Sequence, residues 1–570
     1  MRIVGAPNGV FSGALAVSGA EAIKGLKVEV SELAQKGGPG RIPAAQTVVR
    51  YVGKGKVPYV AEGAYGPRWS LDPLTDKPPA EVAPEKRRGN PAARTAAGLA
   101  PEPAPAAVLP IWVTVSVPRE AAAGDYEGKV TVSADGLKPA EVALRLSVAD
   151  WTVPEPRDFR TIVNIYQSPP TLAIQYKVPE WSEEHWKLIE KSFELLAPFG
   201  NDIVNIPVVD RTQFGNDEGM VHWVKKPDGS YDYDFTVLDR YLKLVKKHLG
   251  VPTFVALQLW HSGGWDTRKA DQENTVTVID PQSKARSHLQ VPVFGTEESR
   301  KFWTAALAAI KERLAKEGME KSMCVGILSD GTAPPEVFKM FNEIIPGIGW
   351  TRGCHSSTLS PKPYALPGGG VVVCHEFCYG TGLEDPVKLL PKIWETTGPG
   401  IYYPRGGGND GEPLYRMRLL TERSLYRKTR GPGRICLDFW PLAQTSGGKT
   451  RFENLYNRWP HSSCAQREPT MVSLAYPGPE GPLNTIRLQL IREGLQEAEA
   501  MIGIADAAAK SADRLGPELT AKGKSLFAER INLCRYSELM WPPDSGGWQE
   551  RTVRLFALAA EVAKKLEQKK

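Results

Sequence analysis

The sequence predicts a multidomain protein: an N-terminal β-sandwich, a central (β/α)8 barrel of the TIM type and a C-terminal helical region. Three observations predict it. The chain has 570 residues, too many for a single core. Its apolar residues recur with period two as far as about residue 150, then form short runs each followed by an amphipathic segment, and finally show helical spacing alone. At the first change, Trp151-Thr-Val-Pro-Glu-Pro156 sets two prolines close together, which breaks strand pairing and stiffens the link. The expected domains are residues 1–150, 157–445 and 446–570.

In the first region, Leu26–Ser31, Thr47–Val52, Ile111–Val117 and Val130–Ser133 alternate apolar and polar residues, the mark of strands with one buried face. The Pro- and Ala-rich stretch from Lys77 to Pro110, with Lys86-Arg87-Arg88, is expected to be a long solvated loop inside the sandwich. The second region offers barrel strands at Thr161–Tyr166, Asp202–Val208, Thr253–Trp260, Met323–Ser329, Gly349–Cys354, Gly370–Cys374, Gly400–Tyr403 and Arg434–Phe439. Between them, helical periodicity covers Ser182–Leu196, Phe235–Leu249, Thr296–Glu317, Glu336–Ile344, Pro386–Glu395 and Glu412–Tyr426, and only the unit after the fifth strand lacks a helix. Thr485–Ala509, Pro517–Tyr536 and Gln549–Leu566 read as amphipathic helices packed on each other or on the barrel.

The formal charge is +6 with the two signs interleaved, so no nucleic-acid-binding stripe is expected. No apolar run reaches membrane-spanning length, and Met1-Arg2-Ile3-Val4-Gly5 lacks the apolar core of a signal peptide. The seven Cys include no CxxC pair, which argues against a disulfide framework or a zinc ribbon. Cys324, Cys354, Cys374 and Cys436 fall in strand-like runs and are expected to be small buried hydrophobes. The fifteen Trp suggest large cores or stacking platforms for sugar rings.

A barrel of this kind gathers its chemistry where the strands end. There the sequence supplies Asn164, Tyr166, Gln258, Trp260, His261, His355, His375, Arg405 and Trp440 as candidate substrate-binding residues, with Asp330, Glu376 and Asp438 as carboxylates. Aromatic faces, amides and acids on one rim suit a polyhydroxylated ligand. Asp330, in Met323-Cys-Val-Gly-Ile-Leu-Ser-Asp-Gly331, closes the fourth strand. No cofactor is expected; the minority alternative is a divalent metal on His261, Asp330, His355, His375 and Glu376.

Trp112–Ser133 followed by Leu144–Glu155 resembles the passage from sandwich to barrel in glycoside hydrolase family 123, and Tyr476-Pro-Gly478 with Ile486–Gly494, Glu497 and Glu499 resembles a helix-opening signature of the same group. Characterised members are retaining β-N-acetylgalactosaminidases in which the substrate's acetamido group is the nucleophile, and an Asp-Glu pair ends the fourth strand. The resemblance implies a carbohydrate substrate, export from the cell, and a stabilising role for Asp330. The Glu of the pair is replaced by Gly331, so a proton donor must come from elsewhere; Glu376 leads and Asp438 follows. The alternative consequence of Gly331 is a sugar-binding protein without catalysis.

Overall fold

The computed structural model describes residues 1–55, 70–85, 105–261, 274–327, 331–353, 362–377, 401–402, 414–426, 429–446, 449–453, 455, 458–459, 473–539 and 547–568. Two large sheets occupy the N-terminal region, with a short pair, Ile23–Lys24 and Glu81–Val82, beside them. In one, the strands Arg2–Gly5, Ala140–Val148, Gly124–Ser133, Leu33–Gln35 and Arg41–Ile42 lie side by side, with Lys27–Val30 also paired to Gly124–Ser133. In the other, the order is Val10–Gly19, Ala107–Ser116, Thr47–Gly55 and Ser70–Thr75. The alternation read from the sequence is the cause: Ile111 and Val113 are buried, whereas Val108 on the opposite face is 51% exposed. Ile111, Val113 and Tyr51 share a core onto which Val28, Val30 and Val132 of the other sheet pack.

Eight parallel strands follow, one in each expected place: β1 (Asn164–Tyr166), β2 (Ile203–Pro207), β3 (Phe254–Gln258), β4 (Met323–Ile327), β5 (Gly349–Gly353), β6 (Val371–Phe377), β7 (Ile401–Tyr402) and β8 (Gly431–Cys436). Hydrogen bonds join β2 through β6 in one sheet and β1, β8 and β7 in another. A single parallel bridge, Val163 to Asn201, links the two at the start of β1 and β2. Among the described residues no ladder joins β6 to β7.

The crossover helices are α1 (Pro169–Tyr176), α2 (Glu183–Leu196), α3 (Thr236–Leu249), α4 (Glu297–Lys316), α5 (Pro335–Ile344) and α6 (Tyr415–Tyr426). The Ser182 and Thr296 side chains cap α2 and α4, and acidic pairs occupy both first turns. The expected helix at Pro386–Glu395 lies outside the described residues. Helix α1 was not expected, because Pro169-Pro170 reads as a breaker; Ser168 caps it and the prolines sit in the first turn, where no intrahelical N–H is needed.

A second departure is a four-stranded sheet of Tyr231–Asp234, His222–Lys225, Thr275–Ile279 and Arg286–Gln290. Its two halves come from the β2–α3 and β3–α4 connections, which are far apart in sequence and pair only once the parallel strands β2 and β3 are side by side. The boundary expected at residue 445 falls inside a hairpin, Leu442–Ser446 with Lys449–Glu453, and Leu474 and Ala475 still donate to the carbonyls of Cys436 and Leu437 beyond β8.

The C-terminal helices α7 (Ile486–Lys510), α8 (Pro517–Leu539) and α9 (Trp548–Glu567) bind the regions together. Met501, Ile502, Phe527 and Phe556 share one core with Ile3, Phe11 and Leu146 of the N-terminal sheet. Trp151, at the expected break, stacks on Phe556 at 5.3 Å. Gly494 faces α6 so closely that a Cβ would lie 2.0 Å from the Arg418 carbonyl oxygen. Beside it, Arg418 pairs with Glu493 at 2.5 Å and Glu497 at 2.6 Å, while Arg530 pairs with Glu497 at 3.0 Å and with Glu422. Glu499 accepts the backbone N–H groups of Arg160 and Thr161, which lead into β1. The residues that carried the resemblance near Ile486–Glu499 therefore fasten three regions rather than perform chemistry.

Candidate active site

Parallel strands expose their chemistry at their carboxyl ends. At the ends of β1 and β2 lies a small cleft, lined among others by Gln167, Glu180, Trp181, Asn205, Phe214 and Glu218. Glu180 and Trp181 come from the turn between α1 and α2, and Glu218 from the loop after β2. Trp181 has a left-handed backbone, φ 62°, a conformation that a bulky residue adopts only when its surroundings impose it. Here its N–H donates to Nδ1 of His185 at 2.9 Å and its indole Nε1 donates to Glu218 Oε1 at 2.5 Å.

The two carboxylates of the cavity are set in opposite ways. Glu218 is buried and its other oxygen accepts from Arg286 Nη1 at 2.6 Å, so a guanidinium and an indole N–H hold its charge. Glu180 is half-buried, and no hydrogen bond to its carboxyl is found among the described residues. Burial first, and then the negative charge of Glu218, push Glu180 up to about 7, against the opposing pull of Arg458. Glu180 thus holds a proton to higher pH than an ordinary carboxyl, while Glu218 accepts two hydrogen bonds.

The inner wall of the cavity reaches the lumen between the strands. Asn205 accepts from Gln258 Nε2 at 3.3 Å, and a Cβ on Gly326 of β4 would lie 2.2 Å from that same nitrogen. Only glycine leaves room there for the Gln258 amide. Asn164, 1% exposed on β1, has no partner for either amide atom among the described residues. Tyr166 sets its ring edge on Phe214, 5.5 Å away, and Phe214 lines the cavity. Asn164, Tyr166 and Gln258 therefore gather along the β1–β3 ends.

Other expected site residues are placed differently. Trp260 and Trp440 are each 1% exposed, too enclosed to offer a face to a sugar; the Trp440 indole donates to the Ala475 carbonyl at 2.9 Å. His261 is held by its backbone, through two hydrogen bonds with the Asn274 side chain. His375 contacts the Phe254 ring at 5.0 Å, and burial lowers its pKa, which favours the neutral ring. Asp330, His355 and Arg405 lie outside the described residues.

The carboxylate of Glu376 faces the wrong side of its strand for a proton donor in the lumen. Trp350 on β5 packs against Phe338 of α5 at 4.4 Å, so its face is the helix-facing one, and Arg352 two residues on shares that face. Glu376 pairs in register with Arg352, accepts its Nη2 at 2.6 Å and the Tyr364 hydroxyl at 2.7 Å, and is 0% exposed. Because consecutive residues of a strand point to opposite faces, His375 and Glu376 cannot converge on one metal. Among the described residues no three His, Cys, Asp or Glu side chains form a metal-binding group. Asp438 is equally enclosed: one oxygen accepts the Ser168 N–H at 2.6 Å, the other the Ser192 hydroxyl of α2 at 2.8 Å, and burial lifts its pKa to about 6. It ties the start of α1 to α2. Cys324, Cys374 and Cys436 are buried and form no disulfide, as expected, and Cys354 lies outside the described residues.

Glu180, Trp181, Glu218 and Arg286 were not singled out from the sequence. The available signal was Pro179-Glu180-Trp181-Ser182, an acid and an indole immediately before a helix cap, but Arg286 comes from an unforeseen strand.

Residues 166–349 match the family described as "Glycoside hydrolase 123, catalytic domain". A family 123 glycoside hydrolase from Clostridium perfringens, whose structure was described for glycolipid glycan hydrolysis, has a similar fold, with a TM-score of 0.64, 14% identity and 95% of each chain covered. A family 39 glycoside hydrolase from Bacteroides cellulosilyticus is a more distant match, with a TM-score of 0.30, 12% identity, and 86% of this chain and 81% of that one covered. No curated protein sequence matches the chain. No described helix is long and apolar enough to cross a membrane.

Proposed function

We propose that the protein is a glycosidase acting on N-acetylhexosaminides, with Asp330 stabilising the substrate's acetamido group as it attacks the anomeric carbon. The family match over residues 166–349, which includes Asp330, Glu180 and Glu218, is the observation that carries this reading. The same reading closes the two groups of parallel strands into one (β/α)8 barrel, treats the two N-terminal sheets as a β-sandwich, and moves the seam between barrel and C-terminal helices from residue 445 to Thr485, the cap of α7. Export from the cell rests on the family resemblance alone.

Release of sugar from a panel of aryl and natural N-acetylhexosaminides tests the proposal. Wild type should release sugar from at least one member, and Asp330→Asn should lower turnover by about two to four orders of magnitude, the usual scale for loss of a group acting on the reacting centre. Saturable binding with no release anywhere on the panel would instead favour the sugar-binding alternative suggested by Gly331. Near-normal turnover in the Asp330→Asn protein would remove that residue from the mechanism.

A further inference from the structure

We propose that Glu180 is the proton donor to the departing glycosidic oxygen, taking the place of the acid that Gly331 cannot supply. The inference rests on the glycosidase reading above and adds to it a residue and a location: the cavity at the ends of β1 and β2, with Trp181 as its aromatic wall.

Four observations carry it. Glu180 lines the cleft at the ends of β1 and β2, the strand ends where a barrel enzyme acts. Its carboxyl is not engaged by any hydrogen bond among the described residues, whereas Glu376 and Asp438 have their oxygens taken by Arg352, Tyr364, Ser168 and Ser192. Glu218 beside it is a second carboxyl whose oxygens are taken by Arg286 and the Trp181 indole, so the two acids of the cleft stand in contrasting surroundings. Asn205 in the cavity wall continues through Gln258 to Gly326 on β4, three residues before Ser329-Asp330 in the sequence. The charged groups that act on Glu180 are Glu218 and Asp217, which favour its protonated form, and Arg458 and Arg286, which oppose it.

In the step this allows, the Glu180 proton moves to the glycosidic oxygen as the bond from that oxygen to C1 breaks, the electron pair staying on the oxygen, which leaves as an alcohol. The carbonyl oxygen of the substrate's acetamido group forms the new bond to C1. Water then adds to C1, the acetamido bond breaks, and the water's proton returns to the Glu180 carboxylate. No external oxidant or co-reactant is required.

The test compares wild type and Glu180→Gln on the 2,4-dinitrophenyl and the phenyl N-acetyl-β-galactosaminide. Dinitrophenolate leaves without protonation, while phenolate needs it. Glu180→Gln should lose about 10²–10⁴-fold in kcat/KM on the phenyl substrate, a typical loss for a general acid, and stay within a few-fold in kcat/KM on the dinitrophenyl one, since that parameter reports the step in which the leaving group departs. It should also lose the alkaline limb of the pH profile. Equal effects on both substrates, or none on either, would overturn the inference while leaving the glycosidase reading intact. Wild type inactive on both would remove the premise and the inference together. A readout free of turnover is the infrared carbonyl band of a protonated carboxyl at pH 6: it should be weaker in Glu180→Gln than in wild type, and an unchanged band would count against the assignment.

Discussion

Two buried groups of carboxylates stand at opposite ends of what an acid can be made to do. In the seam between α6, α7 and α8, Glu422, Glu493 and Glu497 meet Arg418 and Arg530 at hydrogen-bonding distances. The guanidinium groups, together with the Thr552 hydroxyl, overcome the effect of burial and bring Glu497 down to about 2. In the cavity, Glu180 has burial without a close partner, and rises to about 7. The same side chain is a permanent anion in one place and a proton carrier in the other. Burial alone does not mark a catalytic acid; burial with an unengaged carboxyl beside a charged neighbour does.

That contrast can be broken first where it is strongest. Arg530→Met strips the cation from Glu422 and Glu497 and leaves both buried without it. Loss of one partner of a buried pair costs about 3–5 kcal/mol, and denaturant unfolding should show a drop of that order. A change below about 1 kcal/mol would mean that water reaches the seam.

Acid titration gives the next largest effect. The folded pKa of Glu497 is depressed below the unfolded value near 4.5, so its contribution to stability is complete above that value and is lost as pH falls toward about 2. Urea midpoints measured from pH 5 to pH 2.5 should fall more steeply in wild type than in Glu497→Gln, which starts lower. Parallel curves would contradict the pairing. Glu180 has the opposite sign. Its folded pKa is raised, so the preference for its protonated form is complete below about 4.5 and is lost as pH rises through about 7. Glu180→Gln should therefore be slightly more stable than wild type at pH 8 and indistinguishable from it at pH 4.

The smallest effect is expected on catalysis by Glu376→Gln. With the carboxylate on the helix-facing side of β6, turnover should stay within a few-fold of wild type even as stability falls through loss of the Arg352 pair. A loss of two or more orders of magnitude, with the fold intact by circular dichroism, would restore Glu376 to the mechanism.

Much of this architecture was legible in the sequence because local patterns dictated it. Every parallel strand arose from a short apolar run where one was expected, and α2, α3, α4 and α5 follow the amphipathic segments to within a residue or two. Missed elements depended on tertiary context: α1 begins with two prolines, and the inserted sheet pairs segments from different connections. The site was read less well for the same reason. Residue type and strand-end position pointed to Tyr166 and Gln258, which touch the cavity-lining Phe214 and Asn205, and to Asn164, which sits two residues before Tyr166 on β1. The same criteria pointed to Trp260, Trp440 and Glu376, because sequence position near a strand end says nothing about which face a side chain takes once a one-residue offset decides it. Glu180 lay in a connecting turn, and its unengaged carboxyl is a property of three loops at once.

The most direct test is a crystal structure of the Glu180→Gln protein soaked with phenyl N-acetyl-β-galactosaminide. The account predicts an intact glycoside in the cavity at the ends of β1 and β2, its ring against Trp181 and its glycosidic oxygen within hydrogen-bond reach of the residue 180 amide. A sugar seated in another cleft, with residue 180 out of reach of that oxygen, would contradict it.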